Sequence, residues 1–285
     1  MKRIVTIQDI SCLGKCSLTV ALPIISAMGV ECAIIPTAVL STHTMFKNFT
    51  FHDLTDEIEP VVNHWLDEDL SFDAVYTGYL GSMEQIDIVS GVFAKMKERG
   101  SLICVDPAMA DNGKLYPAFD LDFARHMASL CAGADFVLPN ITEACFMTGR
   151  EYKESYDMDY VKELMLALHE LGAKNVILTG VSFREGKTGV MGYDGEKGEF
   201  SYYGHDKHSQ SYHGTGDIFS STFVAAMMRG MDWRKAVMVA ADYTAECIRV
   251  TIESGKKKHY GVDFESCTGY LLKCLEKQLH QVFES

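Results

Sequence analysis

Apolar and polar positions along this chain fall into blocks that switch between a strand period and a helix period. Ile4-Val5-Thr6-Ile7 is a short β-rich run, residues 17–28 carry helical spacing up to Gly29, and Cys32-Ala33-Ile34-Ile35 is β-rich again. Strand, helix and strand within about forty residues predict a βαβ unit with a parallel sheet and a right-handed crossover. The alternation then repeats. Residues 53–66 place Ile58, Val61, Val62 and Trp65 on one side of a helix, and residues 83–99 do the same with Ile86, Val89, Phe93 and Met96. Further helices are expected over 123–131, 142–147 (capped by Asn140 or Thr142) and 158–171, and strands over 74–77, 102–105, 136–138 and 176–179.

Two stretches break the rhythm. Residues 36–51 are rich in Ser, Thr, His and Phe and have no helical period, so a strand and loop leaving the main sheet are expected there. Residues 106–117 are polar and contain glycine, which predicts a loop at the carboxyl edge of the sheet. After the strand at 176–179, residues 186–205 alternate glycines and aromatics and read as a β-hairpin turning near Asp194-Gly195. Helices are expected over 217–229, 233–253 and 264–283. With no linker, repeat or low-complexity tract, residues 1–285 read as a single α/β domain.

Composition narrows the function classes. Lysine and arginine total 26 against 39 acidic residues, a net charge of −13, which argues against a general nucleic-acid or membrane-surface binder. The nine cysteines are scattered, without a Cys-x-x-Cys pair or zinc spacing, and His43, His52 and His64 are not spaced as a zinc site. Free buried thiols in a reducing compartment follow. No leader-like or membrane-spanning run is present, so a cytoplasmic protein is expected. The basic run Lys256-Lys257-Lys258-His259 reads as a solvated loop.

The chemistry concentrates at the predicted strand ends: Gln8-Asp9-Ile10-Ser11, Thr77-Gly78-Tyr79, Asp106-Pro107, Pro139-Asn140 and Thr179-Gly180. Ligands of open α/β sheets sit outside the carboxyl ends of the strands. His213-Gly214-Thr215-Gly216-Asp217 precedes an apolar run that reads as a buried helix. Its glycines permit a tight turn, the helix start offers free N–H groups to an anion, and Asp217 fixes a carboxylate at the same point. By itself the pentapeptide reads equally as a glycine-rich turn with Asp217 capping the helix. Asp106, Asp111, Asn140 and Glu143 suit Mg²⁺ as oxygen donors, and suit turns and caps as well. Neither a Walker-type Gly-x-x-x-x-Gly-Lys-Ser/Thr nor a Gly-x-Gly-x-x-Gly after the first strand occurs.

Taken together, the motifs resemble the ribokinase-like superfamily and, within it, the vitamin B6 (pyridoxal, pyridoxine, pyridoxamine) kinases. The pieces run in order: Ile7-Gln8; Leu40-Ser41-Thr42-His43-Thr44; Thr77-Gly78-Tyr79-Leu80-Gly81-Ser82; Val105-Asp106-Pro107; Leu138-Pro139-Asn140-Ile141-Thr142-Glu143; Gly214-Thr215-Gly216-Asp217. The resemblance implies a three-layer α/β/α sandwich with a mostly parallel central sheet, and ATP-dependent phosphorylation of the vitamin's 5′-hydroxymethyl group. Asp217 would be the base, with the N–H groups of Gly214, Thr215 and Gly216 holding the transferring phosphoryl. Asp106, Asp111, Thr179, Gly214 and Gly216 would serve ATP. Asn140, Glu143 and Asp106 would serve Mg²⁺. Asp9, Ser11, Thr44 and Tyr79 would face the substrate. K⁺ dependence and a homodimer are implied in the same way.

Two departures stand out. Asp9 occupies the place after Ile-Gln where B6 kinases often carry serine, so a carboxylate is available to a protonated ring nitrogen or an amine. Ser17 replaces the second glycine of the pair begun by Gly14, which suggests that the loop from Ser11 to Ser17 runs differently. The nearest rival is a hydroxymethylpyrimidine kinase, which shares fold and base; a non-catalytic ligand-binding protein is the alternative from a different class.

Overall fold

A computed structural model of the chain describes residues 1–208, 210, 212–255 and 260–280. In order, the elements are β1 (Arg3–Ser11), α1 (Leu18–Ala27), β2 (Glu31–Leu40), β3 (Phe51–Asp53), α2 (Thr55–Asp67), β4 (Ala74–Thr77) and α3 (Met83–Glu98). There follow β5 (Leu102–Val105), β6 (Ala110–Asp111), β7 (Lys114–Leu115), α4 (Leu121–Cys131), β8 (Phe136–Val137), α5 (Ile141–Thr148) and α6 (Met158–Glu170). The chain continues through β9 (Asn175–Val181), β10 (Lys187–Asp194), β11 (Glu199–Asp206), α7 (Thr215–Met228), α8 (Trp233–Glu253) and α9 (Thr268–His280). It divides into two compact units, Met1–Tyr76 with Lys207–Ser285, and Thr77–Asp206.

In the first unit the strands lie in the order β4-β1-β2-β3. β1 and β2 pair in parallel, as the βαβ reading requires. Ile4, Val5 and Ile7 are fully buried, because a central parallel strand is covered on both faces. Helix α7 is buried almost all round from Ile218 to Ala226 and packs on α1 and α8. Its apolar run is too continuous for a surface helix, and removal of a side chain such as Phe223 from water contributes roughly 2–3 kcal/mol.

The second unit carries β11-β10-β9-β8-β5. β5, β8 and β9 pair in parallel, and the β10–β11 hairpin adds antiparallel strands beyond them. Strand β9 continues past Gly180, which takes φ +73° beside a register shift in β10.

Several expectations change. Residues 36–40 do not leave the sheet: β2 runs on to Leu40, and β3 pairs back antiparallel on Ala38 to Leu40. Pro36 disguises this continuity because it lacks a ladder donor, and the register shift between Gln8 and Ile10 accommodates one extra residue of β2 just after it. The loop at 106–117 contains the small β6–β7 hairpin. Its turn is Asn112-Gly113 at φ +51° and +75°, the paired positive angles of a two-residue hairpin turn. The C-terminal helix opens with a 3₁₀ turn, Glu265–Cys267, before α9. The end of that predicted helix, 281–283, and the basic run 256–259 lie outside the described residues. All nine cysteines are free, but Cys12 is exposed and Cys32 and Cys274 are only partly buried.

Candidate active site

Residues 213–217 fold as a helix entry, with Gly214 rather than Asp217 in the capping position. Gly214, at φ +83°, is the residue before the first turn of α7, and Thr215, Gly216 and Asp217 are its first three helical residues. Asp217 is therefore not the cap; it stands where a carboxylate complements the helix dipole. The first N–H groups of a helix have no acceptor within it, so those of this turn are directed outward. Gly214 is required twice over. Its φ is left-handed, and a β-carbon there would fall on the carbonyl of Lys15. Thr215 Oγ1 donates back to the Tyr212 carbonyl at 3.3 Å, closing the turn.

The β1–α1 turn lies against this entry. Asp9, at the end of β1, is 5% exposed. Its Oδ1 accepts from Ser17 Oγ at 2.5 Å and its Oδ2 from Ser11 Oγ at 3.1 Å. Burial pushes the Asp9 carboxyl above its ordinary range, against the opposing effect of the two hydroxyl donors. Burial, and then the negative charges of Asp217 and Asp9, push the neighbouring Cys16 thiol up, and the Cys16 Cα lies 3.7 Å from where a β-carbon on Gly214 would sit. Gly14, at φ +117°, leaves room for the His43 ring, whose centroid is 4.9 Å from that of His213. Thr44 follows His43 and is exposed. The first unit thus brings together Asp9, Ser11, the Gly214 turn and Asp217. Sequence reasoning missed Cys16, and it marked Ser17 by its place in the glycine pair without giving it a role.

The second unit assembles the other candidates around the N-terminus of α5. Asn140 and Glu143 form a reciprocal capping box: Glu143 N–H donates to Asn140 Oδ1 at 2.9 Å, and Asn140 N–H donates to Glu143 Oε2 at 2.8 Å. Both side chains also reach the loop after β5. Met109 N–H donates to Glu143 Oε1 at 3.1 Å, and Asn140 Nδ2 donates to the Ala110 carbonyl at 2.8 Å. Asp106 is 6% exposed, and its N–H donates to the Thr77 carbonyl at 2.9 Å. Burial, and then repulsion from Asp106, hold the Glu143 carboxyl well above its usual range.

Thr179 pairs with Asn140 through an isolated parallel bridge and sends its Oγ1 to the Pro139 carbonyl. Asp111 sits on the β6–β7 hairpin and accepts from Asn112 N–H at 2.8 Å and from its Nδ2 at 2.9 Å. Tyr79 is half-buried, its ring centroid 5.4 Å from that of Phe119. Among the described residues, no three His, Cys, Asp or Glu side chains converge as a ready-made metal cage. A hard cation held by one or two carboxylates with water and phosphate needs no such cage, and the mutual repulsion of Asp106 and Glu143 fits a positive charge beside them. No helix among the described residues is long and apolar enough to cross a membrane.

Comparison with known proteins matches residues 21–263 to the phosphomethylpyrimidine kinase family. The chain is 26% identical over 279 residues to pyridoxal kinase from Dictyostelium discoideum, covering 90% of this chain and 91% of that one. A phosphomethylpyrimidine kinase-like protein from Bacteroides thetaiotaomicron VPI-5482, in an orthorhombic crystal form with pyridoxal, superposes with a TM-score of 0.90 at 35% identity over 95% of both chains. Pyridoxal kinase from Lactobacillus plantarum superposes with a TM-score of 0.87 at 29% identity, over 97% of this chain and 99% of that one.

Proposed function

Since the chain belongs to the phosphomethylpyrimidine kinase family, we propose that it transfers the γ-phosphoryl group of ATP to the 5′-hydroxymethyl group of pyridoxal, pyridoxine or pyridoxamine. The observation that carries this reading is the entry of α7, a left-handed Gly214 followed by a carboxylate on the third helical residue. An alcohol must give up its proton to become a phosphate ester. Asp217 accepts that proton, and the N–H groups of Gly214, Thr215 and Gly216 bind the phosphoryl oxygens as charge gathers on them. The substrate side is assigned to Ser11, Thr44 and Tyr79, with Asp9 behind Ser11, from whose hydroxyl it accepts. The nucleotide phosphates are assigned to Asp106, Asp111 and Thr179 as well as to the α7 entry.

Asp106, Asn140 and Glu143 would hold Mg²⁺ through water and phosphate; when bound, the ion neutralises charge on the phosphates. K⁺ and a homodimer belong to the same reading, on the strength of the sequence resemblance. Support for the vitamin as substrate comes from the pyridoxal kinases that match nearly the whole chain and from the pyridoxal in the Bacteroides crystal form.

The family description names a pyrimidine, so a hydroxymethylpyrimidine kinase is the second reading. ATP consumption with each B6 vitamer and with hydroxymethylpyrimidine separates them. Turnover of the vitamers well above that of the pyrimidine is expected, and the reverse order would overturn the assignment. Asp217→Ala should lower kcat by about a thousandfold while vitamer binding, read by fluorescence titration, changes little.

A further inference from the structure

The β1–α1 turn holds a backbone geometry at odds with its residue. Ser17, the residue before α1, stands at φ +53°, ψ −135°. That corner is dominated by glycine, because a β-carbon there crowds the backbone. Yet Ser17 is buried, and its hydroxyl is spent on Asp9 at 2.5 Å. Asp9 in turn has its second oxygen occupied by Ser11, and the carboxylate is almost wholly removed from water. A buried carboxylate binding two hydroxyls of its own turn is a clamp on that turn. What the clamp holds matters, because Lys15 and Cys16 lie within it. The Lys15 carbonyl occupies the space that a β-carbon on Gly214 would need, and the Cys16 Cα lies 3.7 Å from the same point.

Resting on the kinase reading above, we infer that Asp9 is a positioning residue. With Ser11 and Ser17 it locks the β1–α1 turn in a glycine-like conformation, and through Lys15 and Cys16 that turn sets where the Gly214 entry presents Asp217. The aspartate at 9 and the serine at 17, which looked like two separate departures, are then one unit. The carboxylate compensates for the β-carbon.

The test is a double-mutant cycle on the full chain, with kcat and KM for all three vitamers and the thermal midpoint read for each variant. Ser17→Ala keeps the β-carbon and removes the hydroxyl, so kcat should fall about tenfold with KM nearly constant. Ser17→Gly fits the backbone without a clamp and should stay within about threefold of the parent. Asp9→Ala should cost about tenfold in kcat with Ser17 present and less than about threefold in the Ser17→Gly background. Asp9→Asn retains an acceptor for Ser17 and should recover most of what Asp9→Ala loses.

Equal losses for Asp9→Ala in both backgrounds would overturn the inference. So would a KM rise confined to one vitamer that Asn does not rescue, since that is the signature of direct substrate contact. If Asp9→Ala does not fold, the Ser17→Ala and Ser17→Gly pair decides, and equal kcat and midpoints for the two would refute the clamp. If the parent phosphorylates no vitamer, the kinase reading fails, while the thermal cycle still reports whether Asp9 and Ser17 are coupled.

Discussion

One β-carbon decides the geometry at Gly214. Its φ of +83° costs a side-chain-bearing residue about 1–2 kcal/mol, and the obstacle that a methyl group would meet is the Lys15 main chain, which cannot swing aside. Gly214→Ala should therefore lower the thermal midpoint by at least about 2–4 °C, as expected per 1 kcal/mol for a chain of this size, and should reduce kcat more than it raises KM for ATP. Differential scanning fluorimetry with steady-state kinetics reads both. A midpoint equal to that of the parent would show that the turn yields. The need for glycine was legible in the sequence; its cause was not, because Lys15 lies about two hundred residues upstream and only the packing of α1 on α7 brings it there. The same limit hid the role of Ser17, whose type speaks against positive φ until its hydroxyl is seen bound to Asp9.

At the scale of elements, α5 shows why one short helix entry links so much of the second unit. Asn140-x-x-Glu143 is a capping signature, and the sequence carries it openly. What the sequence does not carry is that both side chains also fasten Met109 and Ala110, the residues leading into the β6–β7 hairpin that bears Asp111. Asn140→Ala removes a cap and a part-buried amide-to-carbonyl bond together, a loss of about 2 kcal/mol. Asn140→Asp keeps the acceptor for Glu143 N–H but loses the donor to Ala110, and adds a negative charge beside Glu143. It is expected to match Asn140→Ala in stability while weakening ATP binding further at low Mg²⁺. Urea denaturation and nucleotide titration separate the two effects, and an Asp variant as stable as the parent would refute the role given to the Ala110 bond. Period and punctuation made the long helices α3, α6 and α8 readable. The β6–β7 hairpin and the continuation of β2 were obscured, the first by strands of two residues each and the second by Pro36 inside a paired strand.

For the molecule as a whole, the net charge of −13 sets the background against which its buried carboxylates act. Asp9 and Glu143 are each held above the ordinary carboxylate range, chiefly by burial. A group of this kind binds its proton more tightly folded than unfolded. Its contribution to stability is complete below the unfolded value, near 3.8 for Asp9, and is lost as pH rises through the higher folded value. Replacement of Asp9 by Asn removes the titration and keeps the shape. The midpoint of the parent minus that of Asp9→Asn should therefore decrease steadily with pH from about pH 4 upward and level off once the folded carboxyl has ionised. The comparison cancels the general repulsion of an acidic chain, which acts on both proteins almost equally, and it cancels Glu143, which both retain. A difference that stays constant would mean that the hydroxyls of Ser11 and Ser17 balance the burial of Asp9, and one that grows with pH that they outweigh it, so that the turn is held by a carboxylate stabilised in its charged form.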